Sequence, residues 1–237
     1  MTRMFAPRPV LFFVAALAPL SGCGSATAAE PGSSAPAALE GWLPHFQVAR
    51  FTRHEQYDAL PPDVGSYKVT RTLQRVEPSR TLYQECERRL DRKKAADCLL
   101  TFIGVEGFGN AASPVQGVWE WWSPPQVILP PSPVAGTHWV ASHQKRGGTS
   151  RRECQLIADI SFCDGGLESR CFSVFPSSTV GISEHYCPGT GWVGQDAFAR
   201  YDDGHLFATF TMDVTLDGVP APTRRPAPTS GPSAATW

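Results

Sequence analysis

Seven cysteines, six histidines and seven tryptophans are the side chains of this 237-residue chain best suited to covalent, metal or stacking chemistry. The cysteines are Cys23, Cys86, Cys98, Cys154, Cys163, Cys171 and Cys187. None falls in a C-x-x-C pair, the spacing of zinc ribbons and thioredoxin-like redox sites, so the pattern speaks against both. His138 and His143 are five residues apart and on one strand would face opposite sides, which speaks against a shared metal. Gly189, Gly191 and Gly194 formally match G-x-G-x-x-G, yet residues 193–200 read as a strand, so no helix N-terminus is offered to a pyrophosphate. The sequence holds no G-x-S-x-G elbow and no H-E-x-x-H helix. The expectation is therefore a protein without a cofactor, a metal or a catalytic function. Trp119, Trp121, Trp122 and Trp139 remain the side chains with most to offer. Trp119 and Trp121 would share one strand face and could line an apolar groove or stack on a sugar, or they pack a sheet core beside Pro124 and Pro125.

An even set of cysteines remains once Cys23 is set apart, and in an exported chain that points to disulfides. Leu156, Ala158, Ile160 and Phe162 alternate with polar residues, so residues 155–163 read as a strand with Cys154 on its apolar face and Cys163 on the other. Nine extended residues span about 30 Å, far more than a disulfide bridges, so Cys154 and Cys163 do not pair. Asp164-Gly165-Gly166 then reverses the chain, and Phe172 and Val174 resume the alternation with Cys171 on the less apolar side. That register predicts Cys163 with Cys171, Cys86 with Cys98 by proximity, and Cys154 with Cys187 as the remainder.

The elements that must hold these groups read as strands. Tyr67, Val69 and Leu73 alternate with polar residues, and from Leu206 to Leu216 the apolar residues alternate with Thr209, Thr211, Asp213 and Thr215. That second run predicts a long antiparallel strand with one wet face. Tyr201-Asp202-Asp203-Gly204 marks a hairpin between it and residues 193–200. Further strands are expected over residues 99–106, 115–122, 137–143 and 182–187. Only residues 80–96 carry helix-like spacing, in Leu82, Cys86 and Leu90, and they read as a short helix or an irregular disulfide loop. The expected fold is mainly β: a curved antiparallel sheet or half-barrel with at most one short helix, stapled by disulfides.

At the N-terminus, Arg3 and Arg8 precede an apolar run over residues 10–20, too short for a bilayer span and interrupted by Pro19. The run ends in Leu20-Ser21-Gly22-Cys23, which resembles the bacterial lipobox. The resemblance implies cleavage before Cys23 and lipidation of that cysteine. An ordinary secretory signal cut near Ala29 is the competing reading. With Gly24 and no Asp after the cysteine, the resemblance implies the outer membrane as destination. The organisation expected is a signal peptide over 1–22, a lipidated Cys23 and flexible linker over 23–39, one β-rich domain over 40–218, and a Pro-rich disordered tail over 219–237. Loss of the leader takes the 21 basic residues to 19 against 22 acidic ones, a balance without drive toward nucleic acid. Arg88 to Lys94 is the one basic cluster, and Asp91 interrupts it.

A Pro-rich stretch before Gly136-Thr137-His138-Trp139 and a Pro-Gly-x-Gly-x-Val turn at Pro188 to Val193 also resemble bacterial envelope lipoproteins built as a curved antiparallel sheet. Relatives of that architecture, the lipoprotein-carrier half-barrels, hold acyl chains on their concave face. The function expected is a membrane-anchored, non-catalytic binding or structural module of the envelope, meeting another envelope protein or an apolar ligand. An acyl-binding half-barrel and a hydrolase of unrecognised type are the alternatives.

Overall fold

The computed structural model describes residues 37–58, 60–145, 148–175 and 177–226. Cys23, the signal segment, most of the linker and the end of the tail lie outside them. A one-turn helix, α1 (Ala37–Glu40), precedes β1 (Val48–Tyr57), β2 (Asp63–Val76), β3 (Arg80–Arg89), β4 (Asp97–Gly104), β5 (Gly107–Val115) and β6 (Val118–Leu129). There follow β7 (His138–Lys145), β8 (Gly148–Asp159), β9 (Gly166–Phe175), β10 (Ser178–Cys187), β11 (Gly191–Tyr201), β12 (Leu206–Leu216) and the two-residue β13 (Val219–Pro220). Each strand pairs with the next, and β1 also pairs antiparallel with β12, from Ala49 opposite Leu216 to Tyr57 opposite Phe207. The expected mainly-β architecture is present, but the sheet is not a half-barrel. It closes on itself as a twelve-stranded up-and-down barrel, with β13 as an appendage to β12.

Closure depends on strands that carry no simple alternation. In β1 the inward residues run Ala49, Phe51, Arg53, Glu55, so the face turned to the interior changes from apolar to charged partway along. In β3 the inward side carries Tyr83, Glu85, Glu87 and Arg89, and the outward side Leu82, Gln84, Cys86 and Arg88. That segment is strand throughout, not a helix or a loop, because it pairs on both sides with β2 and β4. The long β12 has the extent expected from its alternation, but its faces are reversed over half its length. Thr209 and Thr211 point in and are 8% and 4% exposed, while Phe210 and Met212 point out at 41% and 46%. A bulge opposite Phe51, with Asp213 at φ +53, then switches the register so that Val214 and Leu216 turn inward.

One pole of the barrel is closed by the N-terminal segment. Leu39 and Leu43 pack with Leu129, Leu156, Leu167 and Tyr186, and the Gly189 N–H donates to the Gly41 carbonyl at 2.7 Å. Gly191 has φ +81, and a Cβ there would lie 2.2 Å from the Leu43 carbonyl oxygen, so this turn needs glycine both for its conformation and for the approach of the plug. The formal G-x-G-x-x-G match is thus a β10–β11 turn that seats the plug. Folding also runs past the expected domain limits, since Leu39 is core and Ala221 packs with Phe162, Val193 and Val214.

The weakest seam lies between β6 and β7, where Ser123 opposite Gln144 is the one registered pair. Pro124 and Pro125 have no N–H to give to a ladder. Side chains take over: the Trp139 indole donates to the Val127 carbonyl at 3.2 Å and the Ser169 hydroxyl to the Ile128 carbonyl at 2.7 Å.

Three disulfides staple the sheet: Cys86–Cys98, Cys154–Cys171 and Cys163–Cys187. The first is the expected one, and Cys154 does not pair with Cys163. The other two expected pairings, Cys163 with Cys171 and Cys154 with Cys187, are overturned. The reason is that β8 ends at Asp159, whereas the alternation continues through Phe162 into the loop. Cys154 and Cys171 are therefore direct cross-strand neighbours, and Cys163, beyond the strand, reaches Cys187 at the end of β10. Peptide mapping of the oxidised protein is expected to recover Cys154–Cys171 and Cys163–Cys187 peptides; a Cys163–Cys171 peptide would refute the β8–β9 register.

Candidate functional site

The barrel is hollow. A cavity of about 520 Å³ runs from the plugged pole toward the opposite one, inside the roughly 300 to 1,000 Å³ of small-molecule sites. Its floor is apolar and aromatic, with Phe46 from the plug, Phe108 from β5, Tyr186 from β10 and Trp192 from β11. Arg71 lies beside this floor, fully buried, donating to the Pro44 carbonyl and sitting over the rings of Phe46, Tyr83 and Phe108. Burial lowers its pKa, and Glu85, 3.1 Å away, partly offsets that effect.

Higher up, the wall is charged, and most of the charges are matched. Arg53 donates to both carboxylate oxygens of Glu87 at 2.8 and 2.6 Å and lies 4.4 Å from the Tyr67 ring centre. Burial would lower this guanidinium's pKa, but the Glu87 carboxylate outweighs burial and holds it above its ordinary value. Thr101 donates to Glu85 at 3.1 Å. Glu184 is buried and accepts from the Tyr186 hydroxyl at 2.7 Å, and burial pushes its carboxyl above the ordinary range despite that bond. Bidentate and hydrogen-bonded pairing of this kind is what allows charge to persist away from water.

Arg152 of β8 is the exception. Its Nε and Nη1 lie 3.2 and 2.8 Å from the Gln126 side-chain oxygen, the amide being assigned with that oxygen toward a group that can only donate. Among the described residues no carboxylate forms an ion pair with it, and burial lowers its pKa, with only a partial Coulombic offset from Glu184. Nearby, Trp122 stacks on His143 at 4.5 Å, and its buried indole N–H has no partner among the described residues.

The mouth lies at the edge of β4. Pairing between β4 and β5 stops at Leu100 opposite Ala112, so Asp97, Cys98 and Leu99 have no β5 partner. Cys98 faces outward with Cys86 yet borders the cavity, which therefore wraps around this free edge.

Of the four tryptophans singled out in the sequence, only Trp122 lines the cavity. Trp119 packs on an outer cluster of Leu82, Leu100 and Phe102, Trp121 is exposed near Arg80, and Trp139 serves the closed pole. They form no common groove. Trp192, which does line the cavity, was hidden in a glycine turn, and its neighbours gave no alternation to mark it. His138 and His143 fall on opposite faces of β7, and the basic cluster is tied down by Arg89 with Asp63 and Asp91 and by Lys94 with Asp97. Among the described residues no group of His, Cys, Asp and Glu is placed to hold a metal ion.

A second titratable cluster sits outside the barrel. His185 lies between Asp159, 2.8 Å from Nδ1, and Asp196, 3.2 Å from Nε2, with Phe162 over its ring. Two carboxylates make it an imidazolium that donates to both; Arg224 at 3.3 Å is then a neighbour that donates to Asp196 instead. Arg225 adds a 2.7 Å bond to Asp164, so the cluster straps residues 221–226 to the wall.

No protein-family model and no curated protein matches the chain. Among solved structures, one of a candidate lipoprotein from Parabacteroides distasonis is similar at 11% identity over 73% of this chain and 97% of that one, with a TM-score of 0.36. A likeness that faint fixes neither fold nor function.

The strap has a pH signature. Burial would lower the His185 pKa, but its bonds to Asp159 and Asp196 push it up to about 9, above its ordinary 6.5. Its contribution is therefore complete below about pH 6.5 and lost as pH rises through 9, on the order of 3 kcal/mol in all. Thermal melts of wild type and His185→Gln are expected to differ most near pH 6 and to converge by pH 10; a gap that persists at pH 10 would contradict this assignment.

Proposed function

We propose that the chain is a non-catalytic binding protein that holds one small, partly apolar molecule inside its barrel. The observation that carries this reading is the cavity itself, with aromatic rings at its closed end, polar groups higher up and a mouth at the free edge of β4. A twelve-stranded barrel is wide enough to leave room for a ligand rather than fill with side chains. Binding is favoured over acid–base catalysis because the interior carboxylates are engaged: Glu87 with Arg53, Glu85 with Arg71 and Thr101, Glu184 with Tyr186. An acyl chain or similar amphiphile suits such a lining, now on the inside of a closed barrel instead of a concave sheet.

The setting we propose is the bacterial cell envelope, with the chain exported and tethered through lipid on Cys23 and with the outer membrane as destination. The support is the lipobox-like Leu20-Ser21-Gly22-Cys23 together with three disulfides, which belong to an oxidising compartment. A direct role in nucleic-acid binding is not proposed, given the acidic balance of the mature chain.

Delipidated protein titrated with the uncharged dye N-phenyl-1-naphthylamine should show saturable emission enhancement with one site per chain and quenching of tryptophan by energy transfer. Emission that rises linearly without saturation would sink the cavity reading. For the tether, Cys23→Ser expressed in the native host is expected to lose the mass of the acyl groups and move to the aqueous phase in detergent partitioning. Unchanged mass and partitioning would exclude the lipid anchor.

A further inference from the structure

The geometry points to a carboxylate as the polar end of the ligand, received by Arg152 on the β6–β8 wall with the Trp122 indole N–H as a second donor; this rests on the binding reading above. Three observations combine. First, Arg53 and Arg71 each form an ion pair with a glutamate, and Asp97 at the rim is met by Lys94, whereas Arg152 is held only by an amide oxygen. A largely buried guanidinium with no carboxylate in contact is costly, and an anion entering the cavity would relieve that cost. Second, Trp122 lines the same cavity with a buried N–H that no described residue accepts. Unpaired buried donors are rare in folded proteins and call for an acceptor. Third, the side-chain amides of Gln126 and Asn110, 3.3 Å apart, border the same cavity and give this wall neutral hydrogen-bonding groups beside Arg152 rather than carboxylates.

The chemistry selects among anions. One guanidinium fork matches the two oxygens of a planar carboxylate, and a single guanidinium without a carboxylate in contact suits a monoanion. A phosphate dianion would face Glu85, Glu87 and Glu184 with too little positive charge to balance it. The apolar remainder of the molecule would extend from Arg152 toward Phe108 and Trp192, where the wall presents rings and no free charge. The ligand class is therefore a medium-chain monocarboxylic acid or an apolar acid of comparable size.

The test is competition against the bound dye by three amphiphiles of one chain length: lauric acid, dodecanol and dodecylamine. Lauric acid is expected to displace the dye at concentrations roughly tenfold or more below dodecanol, the scale of a charge-assisted hydrogen bond, and dodecylamine to be the weakest. In Arg152→Gln the advantage of the acid should vanish while dodecanol is unaffected; Trp122→Phe should cut it several-fold. Equal displacement by acid and alcohol, or preference for the amine, overturns the carboxylate assignment and leaves the cavity reading intact. Failure of the dye itself to bind defeats the cavity reading instead. Should Arg152→Gln not fold, the three-way comparison on the wild-type protein decides without it.

Discussion

The backbone hydrogen bonds between β1 and β12 determine everything else about this molecule. A meander of twelve strands, each joined to the next, would without that ladder be an open sheet with two exposed edges, each a template for aggregation. Closure removes those edges and creates an inside. Once an inside exists, the alternation of side chains assigns each residue to the interior or to solvent, and the circumference of twelve strands leaves the interior too wide to fill. The outer wall consequently carries many of the charges, among them Arg50, Lys68, Arg151, Glu153 and Arg170, while the lumen holds a second, private set.

That private set is organised by depth. Near the plug the lumen is built like an ordinary core, with Leu39, Leu129, Leu156 and Tyr186 in mutual contact. From Arg71 beside the floor to Arg53 higher up it becomes a scaffold of ion pairs and stacked cations, in which each arginine lies on aromatic faces and against a glutamate. These pairs keep the walls apart and in place without filling the volume between them. Hydrophobic collapse at the same positions would favour a narrower and solid barrel.

The amount of this that could be read from the chain depended on how each strand divides its faces. Strands with one apolar and one polar side were legible: β2, β7 and β11 lie where alternation put them, and β12 matches to within a residue. Strands β1, β3 and β5 were not, because charged residues face the lumen in the first two and β5 is built from Gly107, Gly109, Ala111 and Ala112 with little pattern of either kind. Missing β1 meant missing closure, and without closure the apolar face of β12 was assigned to the wrong side. The disulfides failed for a related reason: periodicity persists through Ile160 and Phe162, but hydrogen bonding stops at Asp159, and no local signal distinguishes the two. Of the cavity, Trp122 was legible as an aromatic with a polar handle, whereas Arg152 gained its meaning only from the company it lacks.

The plug gives the barrel a polarity along its axis. Residue 37 enters at the sealed pole, and residues 221–226 finish beside the Ser161 to Asp164 loop at that same pole, with Arg225 N–H donating to the Ser161 carbonyl. The opening beside Asp97 and Leu99 belongs to the other end. A short, stiff link at residue 37 or residue 226 would therefore set the sealed pole toward its support and the doorway away from it. On the binding reading proposed above, a barrel held in that way would exchange cargo with the surrounding fluid or with a second protein, not with the surface on which it stands.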